Sequence, residues 1–121
     1  MTKTLNQLST LLSQAVPLID IRAPIEYARG SFPSAVNLPL LNDPERHEIG
    51  LIYKKKGQQA ALDRGFELVS GAVRQSRVNA WLEFIELHEQ AALYCFRGGL
   101  RSEIACSWLQ EAGKPISRVS G

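Results

Sequence analysis

"AALYCFRGGLRSEIACSWLQEAG", residues 91–113, holds a strand, a loop and a helix in one run. Residues 91–94 form an apolar segment of the length and greasiness of a strand buried on both faces of a parallel sheet. From Ser102 the pattern turns helical, with Ile104 and Trp108 on one side and Gly113 suited to the helix end. Cys95 sits between them, at the carboxyl end of the strand. Open parallel sheets bind their ligands at that edge, so this one stretch predicts both the fold class and the place to look for chemistry.

The remainder of the chain repeats the alternation. Leu5, Leu8 and Leu12 recur at helical spacing after Thr4 and predict an amphipathic N-terminal helix. "PLIDI", residues 17–21, reads as a buried strand whose polar residues, Asp20 and then Arg22, emerge at its carboxyl end, with a turn and a short helix to follow. Gly30, Pro33 and Pro39 bracket a second brief strand over Ala35 to Leu38. A punctuated helix follows, with Asp43 as its cap, Pro44 at its first position, Gly57 as its stop and Lys54, Lys55 and Lys56 in its last turn. Val78, Trp81, Leu82 and Ile85 share one face of a longer helix, and "ISRVSG", residues 116–121, supplies a final strand. Strands alternating with helices give an α/β fold, a mostly parallel central sheet flanked by helices on both faces and joined by right-handed crossovers, in a single domain spanning residues 1–121.

Composition narrows the function. Of 121 residues, 45% are hydrophobic and 21% charged, which excludes disordered and fibrous classes. No continuous apolar segment resembles a signal peptide or a membrane span, so the expected setting is cytoplasmic with no membrane partner. A formal charge of +2 is too small to mark a nucleic-acid binder by itself. Cys95 and Cys106 are expected as free thiols. No metal site is expected, since His47 and His88 stand alone and no C-x-x-C or H-x-x-x-H spacing occurs.

The loop carries the chemistry. Gly98 and Gly99 let the backbone curl so that successive amide hydrogens point inward, and the helix that follows adds the positive end of its dipole. Such an anion cradle also favours a thiolate, so Cys95 should ionise more readily than an ordinary cysteine, whose pKa is about 8.5. Arg97 and Arg101 follow Cys95 by two and six positions, and either guanidinium has the reach to grip an oxyanion. Cys95 would then be a nucleophile at neutral pH.

"LIDIRAPIEYARGSFPSAVNLPL", residues 18–40, followed at a distance by "LYCFRGGLRS", residues 93–102, resembles the rhodanese family. Its marks are an Asp-x-Arg strand end, a Glu-Tyr helix, a Gly-x-x-Pro-x-Ala turn and a catalytic-cysteine loop. Within it, "IDIRAPIEY", "CFRGGLRS" and above all "NLPLLNDPERHEIGLIYKKKGQQAAL", residues 37–62, are similar to the rhodanese domain of the tRNA 2-selenouridine synthases, common rhodaneses being shorter in that middle segment. The resemblance implies a rhodanese-like fold and an enzyme that replaces sulfur by selenium at the tRNA wobble uridine. Selenophosphate is the implied co-substrate, geranylated 2-thiouridine the intermediate, and Cys95 the implied catalytic residue that carries selenium as a perselenide, surrounded by an anion-binding loop of Phe96, Arg97, Gly98, Gly99, Leu100 and Arg101; no bound cofactor is implied. Full-length members continue into a P-loop domain. No G-x-x-x-x-G-K-[ST] occurs here, so that domain is an expected partner absent from this chain, which reads as an excised or truncated first domain.

Alternatives stay open at this level. Five residues between Cys95 and Arg101 match the loop of cysteine phosphatases and of arsenate reductases on the same fold, and a generic sulfurtransferase or a binding module also fits. A phosphatase needs an acid for the leaving alkoxide, and "FRGGL" offers none; Glu103, the nearest, is expected to point away. Asp20 and Arg22, with Glu26, are read as supporting residues that tie loops together. Lys54, Lys55 and Lys56 either complement a helix dipole or contact tRNA phosphates. Cys106, Trp81 and Trp108 are read as packing residues.

Overall fold

Three-residue strands suffice for this sheet because the central ones are buried on both faces. The computed structural model describes residues 17–94 and 100–118, and the backbone alone of residues 2, 3 and 119. Its strands are β1 (Thr2–Lys3), β2 (Leu18–Asp20), β3 (Ala35–Asn37), β4 (Ala92–Tyr94) and β5 (Ser117–Val119). The described helices are α1 (Pro24–Arg29), α2 (Asp43–Lys56), α3 (Gln58–Leu68), α4 (Gly71–Leu87) and α5 (Leu100–Glu111). The strands lie in the order β1-β5-β4-β2-β3, and every neighbouring pair is parallel. Among the described residues no helix is long and apolar enough to cross a membrane.

Alternation along the strands divides the core. Ile19, Ile21 and Leu93 face Val78 and Trp81 of α4 and Ala105, Trp108 and Leu109 of α5. The two indoles stack with ring centres 6.3 Å apart, and Trp81 Nε1 donates to the Leu38 carbonyl at 2.7 Å, satisfying its one polar atom inside the core. On the opposite face Leu18, Ala35, Ala92 and Tyr94 pack against Tyr27 of α1 and Phe32. Both tryptophans thus serve the core, as their helical spacing predicts.

Several boundaries differ from the sequence reading. The cap of α2 is Asn42, not Asp43: Asn42 Oδ1 accepts the Glu45 amide and Glu45 Oε1 accepts the Asn42 amide, both at 2.9 Å. Asp43, at the first helical position, instead accepts the Ile25 amide at 2.9 Å and so ties α2 to α1. Gly57 ends α2, as expected, but at a φ of 90° it also turns the chain straight into α3, which the sequence reading does not anticipate. Helix α5 begins at Leu100, two residues before Ser102. The helix expected around Leu5, Leu8 and Leu12 lies outside the described residues.

Candidate functional site

Polar residues at the ends of three strands meet at the carboxyl edge of the sheet. Asp20 is fully buried at the end of β2, and Arg22, two residues on, is only 6% exposed. Burying this much charge requires full pairing. The Asp20 carboxylate accepts from the Arg22 amide at 2.9 Å, from Arg22 Nε at 3.0 and 3.1 Å, from Arg22 Nη2 at 2.7 Å and from the Tyr94 hydroxyl at 2.9 Å. Arg22 Nη2 also donates to the Gly30 carbonyl at 2.8 Å, and its guanidinium lies 5.7 Å from the centre of the Tyr94 ring. Asn37 Nδ2 donates to the carbonyls of Asp20 and Arg22 at 3.0 and 2.9 Å. The network clamps the ends of β2, β3 and β4, from which the chain enters the cysteine loop. The hydrogen bonds it donates to Asp20 push the Arg22 guanidinium above its ordinary range. Burial, then the charge and hydrogen bond of Asp20, push the Tyr94 phenol upward, so it stays a donor at physiological pH.

Glu26, read from sequence as belonging with Asp20 and Arg22, has its own partners. Arg101 Nη1 and Nη2 donate to its two carboxylate oxygens at 2.6 and 3.1 Å. The Ala23 amide reaches Oε1 at 3.0 Å, and Arg46 Nε lies 3.1 Å from the same oxygen. Burial by itself raises the Glu26 pKa, but the hydrogen bonds and charge of Arg101, the Ala23 amide and the charge of Arg46 outweigh it and hold the carboxyl at about 2. A depressed carboxyl stabilises the fold fully above its ordinary value of 4.5, and the contribution is lost as pH falls through the folded value of about 2. Thermal unfolding of Glu26→Gln should therefore show a constant deficit against wild type above about pH 5, a deficit that closes as pH approaches 2.

Cys95, Phe96, Arg97, Gly98 and Gly99 lie outside the described residues. Leu100 and Arg101 open α5 directly behind them and form part of the rim of an apolar cleft of about 130 Å3. Its walls come from α2, α3 and α5, through Ile49, Leu62, Phe66, Ile104 and Trp108. Tyr53, 58% exposed, stands at the same cleft, and the exposed Lys54, Lys55 and Lys56 follow it in the last turn of α2. Glu103 turns elsewhere, to a surface depression it shares with Cys106 and Arg118. Cys106 is half-buried against the core.

Sequence reasoning singled out Glu26 and Arg101 separately and missed their pairing across 75 residues. It also missed the cleft and the part of Tyr94. The tyrosine had a signal, a hydroxyl-bearing side chain at the last position of a buried strand, where it needs a polar partner.

A family model for the rhodanese-like domain matches residues 4–121. The tRNA 2-selenouridine synthase of Shewanella sp. (strain MR-7) is 59% identical over 105 residues, covering 87% of this chain and 28% of that protein. The enzyme of the same name from Cupriavidus necator is 54% identical over 112 residues, 93% of this chain and 30% of that protein. The chain thus spans 28–30% of the length of these curated relatives. Among solved structures, the N-terminal domain of a protein described as ATP/GTP-binding, from Clostridium difficile 630, superposes with a TM-score of 0.81 at 27% identity, over 100% of this chain and 92% of that one.

Proposed function

Because the chain belongs to the rhodanese-like domain family, we propose that it is the chalcogen-transferring part of a tRNA 2-selenouridine synthase, acting in the cytoplasm on a geranylated 2-thiouridine at the wobble position. The observation that carries this reading is the apolar cleft beside Arg101. A loop that handles only small oxyanions has no use for such a cleft, whereas a substrate whose leaving sulfur bears a terpenoid chain does. Residues 37–62, the segment most similar to the synthases, supply α2 and the start of α3, which wall it.

In the proposed reaction the Cys95 thiolate attacks the terminal chalcogen of a donor held by the loop amides and a loop guanidinium. The bond from chalcogen to oxyanion breaks and its electron pair leaves with the oxyanion: sulfite from thiosulfate, phosphite from selenophosphate. The perselenide then displaces geranylthiolate at C2, and a thiol reductant cleaves the S–Se bond, ending as a disulfide with Cys95. No metal takes part. Lys54, Lys55 and Lys56 would hold tRNA phosphates, and a nucleotide-binding P-loop part would account for the length present in the relatives and not in this chain.

Mass spectrometry after incubation with selenophosphate tests the reading: one added selenium on the peptide containing Cys95, with phosphite released, is expected. Turnover of an aryl phosphate with no adduct would establish the phosphatase reading in its place. The cleft is tested separately by Leu62→Trp, which fills it. With a geranylated anticodon stem-loop the half-saturating concentration should rise at least ~10-fold, while loading of Cys95 from a small donor stays within about twofold.

A further inference from the structure

The arginine that closes the cysteine loop already has a partner. Both Nη atoms of Arg101 hold both oxygens of Glu26, at 2.6 and 3.1 Å, and the two side chains are only 21% and 14% exposed. A two-pronged pair of this kind fixes orientation as well as distance, and partial burial protects it from screening by salt. Arg101 occupies the first turn of α5, directly after the loop, so whatever fixes Arg101 fixes the loop's carboxyl end. Glu26 also accepts the Ala23 amide at the start of α1 and pairs with Arg46 of α2.

We propose that Glu26 is a positioning residue that acts through Arg101, the pair forming a strut that fixes the start of α5, where the chain leaves the Cys95 loop. The proposal rests on the chalcogen-transfer reading and takes Arg101 out of direct contact with the donor, its guanidinium being committed to the scaffold. The physical requirement is preorganisation, since N–H donors aimed at an anion lose their effect once the turn presenting them can shift.

The strut and the grip predict opposite kinetics. Loading of Cys95 by thiosulfate, followed by intact mass across donor concentrations, should slow about 30- to 100-fold at saturation in Glu26→Gln and in Arg101→Lys, a loss on the scale of small misplacements of reacting groups. Half-saturating donor should move less than about threefold, and the double variant should be no slower than either single one, because the two residues act as one unit. Arg74→Gln, which breaks the exposed pair with Glu111 and leaves Glu26 and Arg101 untouched, should load at a rate within about threefold of wild type. If instead Arg101→Lys raises half-saturating donor tenfold or more while Glu26→Gln lowers it, Arg101 is the grip, Glu26 is its competitor, and the proposal is overturned.

Hydrogen exchange separates this from the reaction itself. In both single variants amides across 95–101 should exchange at least ~10-fold faster while β2 and α4 keep their protection; unchanged exchange in that segment overturns the strut. A wild-type chain that accepts no chalcogen but shows this exchange pattern would sink the proposed chemistry and leave the strut standing.

Discussion

Cys95→Ala is expected to stay at its unmodified mass under conditions in which the wild-type chain takes up one chalcogen, a loss of at least ~10³-fold in rate. The size follows from the chemistry. The proposed intermediate is a bond to this sulfur, and no other described side chain at the sheet edge offers a comparable nucleophile: the Tyr94 phenol is held protonated by burial and by Asp20, and Cys106 lies at a separate depression with Glu103. Cys106→Ser should therefore load Cys95 at close to the wild-type rate. Alkylation of Cys95 by iodoacetamide across pH gives the second measurement. Two glycines and a helix start behind the cysteine should bring its half-reaction point below the ordinary ~8.5. A midpoint at or above that value would mean that no cradle of amides faces the sulfur.

What the sequence discloses of this molecule follows from which forces act locally. Parallel strands buried on both faces read as continuous apolar runs, so β2 and β4 are legible even at three residues each, whereas β3, an edge strand with Val36 exposed, is legible through the breakers Gly30, Pro33 and Pro39 around it. Strand β1, two residues long, carries no period to detect. Helix α3 escapes notice because Gly57, a sound stop signal for α2, is also its start, and because only Ala61 along it is buried. The cap of α2 shows a local rule applied one residue off. Asn42 and Asp43 are both good capping residues, but a capping box needs a Glu or Gln three positions later: Asn42 has Glu45, and Asp43 has Arg46. Within the site, Cys95 and its glycines announce themselves through loop chemistry, and Asp20 and Arg22 through their place at a strand end. The joining of Glu26 to Arg101 is a tertiary fact that neither segment encodes alone. The same holds for the cleft, which exists only once α2, α3 and α5 are brought together.

The clamp at the end of β2 carries the largest expected effect on stability. Asp20→Ala leaves the Arg22 guanidinium and the Tyr94 hydroxyl buried without their shared acceptor, and removing one member of a buried ion pair costs about 3–5 kcal/mol. For a chain of this length each kcal/mol corresponds to roughly 3–5 °C, so thermal unfolding should shift down by about 10–25 °C. Asp20→Asn keeps one carbonyl oxygen for either donor and should lose less. Tyr94→Phe removes the hydroxyl's hydrogen bonds to Asp20 and to the Phe32 backbone and should lose about 1–2 kcal/mol. If the penalty comes from the orphaned charge and not from the absence of the pair, replacing both partners by apolar residues, Asp20→Leu with Arg22→Met, should recover most of the midpoint lost in Asp20→Ala. Recovery of stability need not bring recovery of function. Arg22 also donates to the Gly30 carbonyl, and Asp20 accepts from Tyr94, the residue just before Cys95. A double variant that unfolds near the wild-type temperature yet loads Cys95 slowly would assign the clamp to holding the strand end beneath the loop. One that loads normally would show that packing alone holds β2 and β4 in register, and that the charges are dispensable to the chemistry.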